Sequence, residues 1–85
     1  MTPAQVRMAR AALNWKVRDL AKVCGVDKNT ISRYENGRDI LSGTLQRIED
    51  AFIQNGIIFI SSDSTNGSGV RLIRDLEAQL VIEPK

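Results

Sequence analysis

The chain has 85 residues, of which 42% are hydrophobic and 26% are charged, so the composition is that of one small globular domain. It has no histidine and a single cysteine, Cys24. These counts exclude histidine-based acid–base chemistry, an internal disulfide and a multi-thiolate metal cluster. No apolar run approaches the roughly 20 residues of a membrane helix, and the first residues lack the pattern of a signal peptide. We therefore expect a soluble, cytoplasmic protein without a cofactor.

The charge is distributed unevenly along the sequence. Residues 1–47 hold nine basic and four acidic side chains, a balance of +5, whereas residues 48–85 hold three basic and six acidic side chains, a balance of −3. A basic first half suits a polyanion such as nucleic acid, although a solvated surface gives the same pattern. We expect the acidic second half to face away from such a ligand.

The first 25 residues predict two helices. Thr2 is a suitable N-cap for a helix from Pro3 to Leu13, because proline is tolerated at the first helical position and Val6, Ala9 and Leu13 recur at helical spacing. Asn14 is suited to the left-handed conformation that ends a helix. A second helix is predicted from Val17 to Cys24, and Gly25 ends it.

Two further helices follow. Asp27 is predicted to cap a helix from Lys28 to about Asn36, which Gly37 closes. A fourth helix is predicted to begin after Ser42, with Thr44 as a competing N-cap, and to end before Gly56. Its predicted buried residues are Leu45, Ile48, Ala51 and Phe52.

The hydrophobic period changes after Gly56. Residues 57–60 and 70–73 are rich in β-formers and predict a hairpin, with Asn66-Gly67 as a tight-turn dipeptide. Residues 74–80 have the composition for two helical turns. We divide the chain into residues 1–56 and a C-terminal hairpin and tail, 57–85, within one compact domain.

Three small or apolar residues within 21–31 predict a helix-turn-helix. Ala21 provides a small side chain where two steeply crossing helices meet, Gly25 tolerates the positive φ of a tight turn, and Ile31 fixes the inner face of the second helix. The residues left facing outward are Lys28, Asn29, Ser32 and Arg33. Short polar side chains that donate hydrogen bonds are what a helix needs in order to contact base edges in a major groove.

Residues 3–55 resemble the helix-turn-helix family of phage repressors and Cro proteins. The segments at the family's spacing are Leu20-Ala21, Gly25-Val26, Ile31-Ser32-Arg33 and Glu35-Asn36-Gly37. The resemblance implies a mainly α fold, a compact repressor-like domain of four to five helices, here with a C-terminal β-hairpin. It also implies a structural ion pair between Arg10 and Glu35.

The same resemblance implies the DNA contacts. Base-reading residues are expected at Lys28, Asn29, Ser32 and Arg33, and phosphate contacts at Lys16, Thr30, Asn36, Arg38, Ser42 and Thr44. The chain departs from the family at Lys16 and Val17, where the family has Ser or Thr followed by Gln. We expect Lys16 to replace that glutamine as a point charge on a phosphate; an exposed lysine without a role is the alternative.

Helix-turn-helix regulators mostly bind DNA as dimers. We expect a homodimer in which the predicted strands of two copies pair, through Ile57, Ile58, Phe59, Ile60, Val70, Leu72 and Ile73. The alternative is a hairpin that folds back onto the fourth helix of its own chain.

Three functions remain open at this stage. The first is a sequence-specific DNA-binding transcriptional regulator. The second is an antitoxin that binds its own operator and a toxin protein through the C-terminal segment. The third is a protein-interaction module without DNA binding, against which the donors at Lys28, Asn29 and Arg33 argue. An enzyme is the least expected class, because the sequence has no nucleophile–base pair and no glycine-rich phosphate loop.

Overall fold

The computed structural model describes residues 1–75, in which four helices precede a two-stranded antiparallel hairpin. The elements are α1 (Pro3–Leu13), α2 (Val17–Cys24), α3 (Lys28–Glu35), α4 (Ser42–Gln54), β1 (Ile57–Ile60) and β2 (Gly69–Leu72). The expected mainly α class with a C-terminal hairpin is confirmed. None of the helices in this part of the chain is long and apolar enough to cross a bilayer.

Local capping signals set the bounds of α1. The Thr2 hydroxyl accepts a hydrogen bond from the Gln5 backbone N–H at 3.2 Å, and the Gln5 side chain accepts one from the Thr2 N–H at 2.9 Å. This reciprocal pair satisfies two of the N–H groups that a helix start leaves without partners. Asn14, at φ 59°, ends the helix in the left-handed conformation. The bounds predicted for α1 and α2 are therefore confirmed.

One apolar core joins the helices to the hairpin. Phe52 of α4 is fully buried at its centre, with its ring centroid 5.9 Å from that of Trp15 and 6.1 Å from that of Phe59. The fully or nearly fully buried residues around it are Val6, Ala9, Leu20, Val26, Ile31, Ile48 and Ile57. Since Ile57 and Phe59 belong to β1, the hairpin packs into the same core as the helices.

The start of α4 differs from the prediction. Ser42 is the first residue of the helix and not its N-cap; Leu41 occupies the cap position, and its carbonyl accepts from the Leu45 N–H at 2.9 Å. No side chain caps this end, and Thr44 lies inside the first turn. Because serine and threonine are preferred at cap positions, the predicted start of α4 was misplaced by one residue or more.

The connection between the strands also differs from the prediction. Ile57 pairs with Leu72 and Ile60 with Gly69, so β2 begins one residue earlier than expected. Neither Asn66 nor Gly67 has a positive φ, and the tight turn predicted there is wrong. Instead the Asp63 carboxylate accepts from the backbone N–H groups of Thr65 and Asn66, at 2.8 and 2.7 Å, which lowers the pKa of Asp63. A loop over 61–68 needs no two-residue turn because this side chain organises it.

The helical turns predicted over 74–80 fall mostly outside the described residues. Arg74 and Asp75, which are described, are not helical.

Gln5 anchors the hairpin to α1. Its side chain is 3% exposed, and its Nε2 donates to the carbonyls of Ile60 and Gly69, at 3.0 and 2.9 Å. The hairpin thus packs on α1 as well as α4 of its own chain. Ile57 is 2% exposed and lies in that core, so its expected place in a dimer interface is corrected.

Replacing Gln5 with leucine is expected to lower the free energy of unfolding by about 1.5 kcal/mol, because the carbonyls of Ile60 and Gly69 lose a buried donor and the Thr2 N–H loses its acceptor. Urea unfolding followed by circular dichroism measures this change. Gln46→Leu is the matched control: Gln46 is exposed, and within residues 1–75 its side chain bonds only to Asp50, so its change is expected to stay within about 0.5 kcal/mol. Equal effects of the two substitutions would contradict the anchoring role.

Candidate nucleic-acid interface

The turn between α2 and α3 is built from local signals. Gly25 ends α2 at φ 69°, and its N–H donates to the Ala21 carbonyl at 2.9 Å. The Asp27 carboxylate caps α3 by accepting from the Asn29 N–H at 2.9 Å. Ile31 is fully buried and holds the inner face of α3 against the core. The direction of α3 is therefore fixed at its start and along its inner side.

A side chain from α4 closes over this turn. Arg47 donates from Nη2 to the Gly25 carbonyl at 3.0 Å, and a Cβ added to Gly25 would lie 2.9 Å from that nitrogen. The left-handed φ is what favours glycine here, because the guanidinium is the far end of a flexible, exposed side chain that can move aside. This contact could not be predicted from the sequence, because Arg47 is 22 residues from Gly25 and belongs to no repeating pattern.

Gly25→Ala is expected to destabilise the domain by about 1–2 kcal/mol, since alanine is strained at φ 69°. Thermal unfolding measures the loss. Gly43→Ala serves as the control, because Gly43 lies in α4, has no atom within 4 Å of an added Cβ and has no positive φ. That variant is expected to be neutral or slightly stabilised. A Gly25→Ala variant as stable as Gly43→Ala would refute the strain argument.

The outer side of α3 presents polar side chains. Lys28, Asn29 and Arg33 are exposed, and Ser32 is half-buried beside them. Within residues 1–75 the side chains of Lys28, Asn29 and Arg33 form no hydrogen bond or ion pair. The structure thus places the four expected base-reading residues on one helix, with three of them free to bind a ligand.

Two arginines of α1 hold the far end of α3. Arg10 donates from Nε and Nη2 to the two carboxylate oxygens of Glu35, at 2.7 and 2.8 Å, and from Nη1 to the Trp15 carbonyl at 3.1 Å. Arg7 donates to the Glu35 backbone carbonyl at 2.6 Å. The Glu35 side chain is 8% exposed, and its hydrogen bonds raise the pKa of Arg10. The pair with Glu35 was expected from the resemblance; the Arg7 contact was not.

Two more titratable side chains flank the interface. Burial raises the pKa of the Cys24 thiol at the end of α2 and that of the Tyr34 hydroxyl, which donates to the Met1 carbonyl at 2.9 Å. Both groups are neutral at pH 7. They add no charge to the surface that α3 presents.

The expected phosphate-contacting residues surround α3 at three places. Lys16 is exposed at the N-cap of α2, Arg38 is exposed in the loop after α3, and Ser42 and Thr44 lie in the first turn of α4. Asn36 is exposed, but its amide donates to the Ser32 carbonyl at 2.9 Å and so caps the end of α3.

The start of α4 is suited to an anion. It has no side-chain cap and no acidic residue in its first turn. Its first N–H groups, which a helix cannot satisfy internally, therefore face no competing acceptor among the capping and first-turn side chains. Ser42 and Thr44 add hydroxyl donors at the same place.

A shallow concavity of about 380 Å³ separates α3 from α4. Its lining includes Thr30 and Arg33 of α3, and Leu41 and Thr44 at the start of α4. Its charged residues balance, because Arg33 and Arg47 are matched by Asp27 and Asp39. Lys16, Lys28, Asn29 and Arg38 are not among its lining residues, so the candidate contacts divide between this concavity and the open surface around it.

Comparison with known proteins agrees with this geometry. A helix-turn-helix family profile matches residues 6–53. A protein of Archaeoglobus fulgidus, named as a candidate HTH-type transcriptional regulatory protein, is 39% identical over 46 residues, which cover 54% of this chain and 15% of that relative. The chain thus aligns with only a small part of the relative's length. With more than half of its residues matched, the chain belongs to the helix-turn-helix family that includes the phage repressors and Cro proteins.

Proposed function

We propose that this chain binds double-stranded DNA sequence-specifically as a small transcriptional regulator, with α3 in the major groove. The observation that carries the proposal is the two-sided construction of α3. Ile31 and Glu35 are buried on its inner side, whereas Lys28, Asn29 and Arg33 are exposed on its outer side. A major groove about 12 Å wide accepts one α-helix, and the outer side chains carry the donors that base edges require.

The base-reading roles follow from side-chain geometry. Arg33 has the planar fork that bonds both O6 and N7 of a guanine, and Asn29 has the paired donor and acceptor that match an adenine. Lys28 is a second donor for guanine, placed in the first turn of α3. Ser32 is half-buried and short, so it contacts only a base that lies close to the helix.

Phosphate contacts fix the helix in the groove. Lys16 and Arg38 flank α3, and the uncapped start of α4, with Ser42 and Thr44, supplies N–H and hydroxyl donors. Thr30 and the remaining N–H of the Asn36 amide complete the set. The balance of +5 over residues 1–47 supports these contacts, since each neutralised phosphate adds to affinity at low salt.

The hairpin supports the homodimer. Because Ile58 pairs with Arg71 and side chains alternate along a strand, Ile58, Ile60 and Ile73 share its outer face, where they are 44%, 43% and 61% exposed. Phe59, Val70 and Leu72 are half-buried on the inner face. A second copy seated on the outer face covers the isoleucines and places two α3 helices on an inverted repeat.

Selection of bound fragments from a random DNA pool tests the proposal. We expect the enriched fragments to contain an inverted repeat whose half-sites lie about 10 base pairs apart, and we expect sedimentation to give a dimer. Failure to enrich any sequence would refute specific binding. A monomer that enriches a single half-site would refute the dimer and leave the hairpin free for another protein, as the antitoxin hypothesis requires.

A further inference from the structure

Leu41 is an exposed apolar residue in the middle of the candidate interface. Its side chain is 78% exposed, the largest fraction among the exposed large hydrophobic residues of this part of the chain. It lies in the loop between Arg38 and Ser42. Single exposed apolar side chains are common on protein surfaces, so exposure alone assigns no role to it.

Leucine is also an unfavourable residue type at this position of the backbone. Leu41 is the N-cap of α4, where serine, threonine, aspartate and asparagine are preferred and leucine is among the poorest choices. A capping side chain at this position would occupy the first N–H groups of α4. Local departures from sequence preference are expected at functional sites, and this one leaves the helix start open and an apolar group beside it.

The surroundings of Leu41 indicate what it contacts. It lines the same concavity as Thr30 and Arg33 of α3. A leucine side chain donates no hydrogen bond to a phosphate, so an apolar group is the better partner for it on DNA. Among the major-groove edges of the four bases, the C5-methyl of thymine is the apolar group.

We infer that Leu41 contacts the C5-methyl of a thymine next to the base pair bound by Arg33, and so determines specificity for an A·T pair at that position. The inference rests on the proposed DNA binding. It adds a specificity-determining residue outside α3, contributed by the start of α4.

The test uses the full chain and the duplex enriched from the random pool. Each thymine of one half-site is replaced in turn by deoxyuridine, which lacks only the methyl group. We expect wild-type protein to lose affinity about fourfold at one position, the value of burying one methyl group. Leu41→Ala is expected to bind the thymine and deoxyuridine duplexes equally at that position. Ile53→Ala, which also alters an exposed apolar residue of α4, is expected to keep the difference.

Each other outcome overturns the inference. If wild type binds every deoxyuridine duplex as tightly as the thymine duplex, no methyl is contacted. If Leu41→Ala keeps the wild-type ratio of the two affinities and binds both duplexes as tightly as wild type, another residue makes the methyl contact. If it keeps that ratio but binds both duplexes more weakly, Leu41 contacts the sugar–phosphate backbone. A pool that yields no enriched duplex refutes the proposed function itself, which separates that failure from failure of the methyl contact.

Discussion

Glu35→Ala is expected to lower the free energy of unfolding by about 3 kcal/mol, at the lower end of the cost of breaking a buried ion pair. The substitution leaves the Arg10 guanidinium, whose side chain is only 20% exposed, without the two carboxylate oxygens at 2.7 and 2.8 Å. Urea unfolding measures the change. For a domain of this size, total stability is about 5–10 kcal/mol, so the variant loses a large part of it.

Two controls separate the ion pair from a general effect of substitution. Asp50→Ala removes an exposed carboxylate that, in the described part of the chain, bonds only to Gln46, and it is expected to change stability by less than about 0.5 kcal/mol. The double variant Arg10→Met with Glu35→Leu removes both charges and is expected to recover part of the loss. If the double variant loses as much stability as two independent substitutions would lose together, Arg10 and Glu35 are not coupled.

Arg33→Ala is expected to weaken binding to the selected duplex by about 2 kcal/mol, or roughly 30-fold, and to relax specificity at one base pair. Binding to random DNA is expected to change much less. Arg33 is exposed and its side chain makes no hydrogen bond or ion pair within residues 1–75, so the fold is expected to be as stable as in wild type. Fluorescence anisotropy with selected and random duplexes measures both affinities.

Lys16→Ala is the matched control for Arg33→Ala. It also removes one exposed positive charge, but from the N-cap of α2 and not from α3. We expect it to weaken selected and random DNA alike and to reduce the slope of affinity against salt by about one. If Arg33→Ala behaves in the same way as Lys16→Ala, Arg33 contacts a phosphate and not a base.

The sequence predicted those parts of the fold that depend on neighbours along the chain. Thr2, Asn14 and Gly25 are local signals, so the bounds of α1 and α2 were correct. The start of α4 was misplaced because Leu41 occupies a cap position that the general preferences assign to a polar residue. The turn in the hairpin was misplaced because Asp63 organises a longer loop.

In the candidate site too, only the features that depend on neighbours along the chain could be predicted from the residues. Burial of Ile31 determines which side of α3 faces outward, so its polar face could be predicted from the periodicity of one helix. Apart from the Arg10–Glu35 pair, which the resemblance implied, the long-range contacts came only from the structure, because they join distant residues without a repeating pattern. Arg47 reaches Gly25 across 22 residues, Arg7 reaches Glu35 across 28, and Gln5 reaches Gly69 across 64.

The first helix, α1, contacts both the hairpin and the end of α3. Gln5 joins α1 to the hairpin, while Arg7 and Arg10 join the same helix to the end of α3. In the proposed dimer held through the hairpins, α1 connects each hairpin to the α3 of its own chain, so we expect it to set the separation and relative rotation of the two α3 helices. One base pair inserted between the half-sites rotates them by about 35°. We therefore expect binding to depend on the spacing of the half-sites as well as on their sequence.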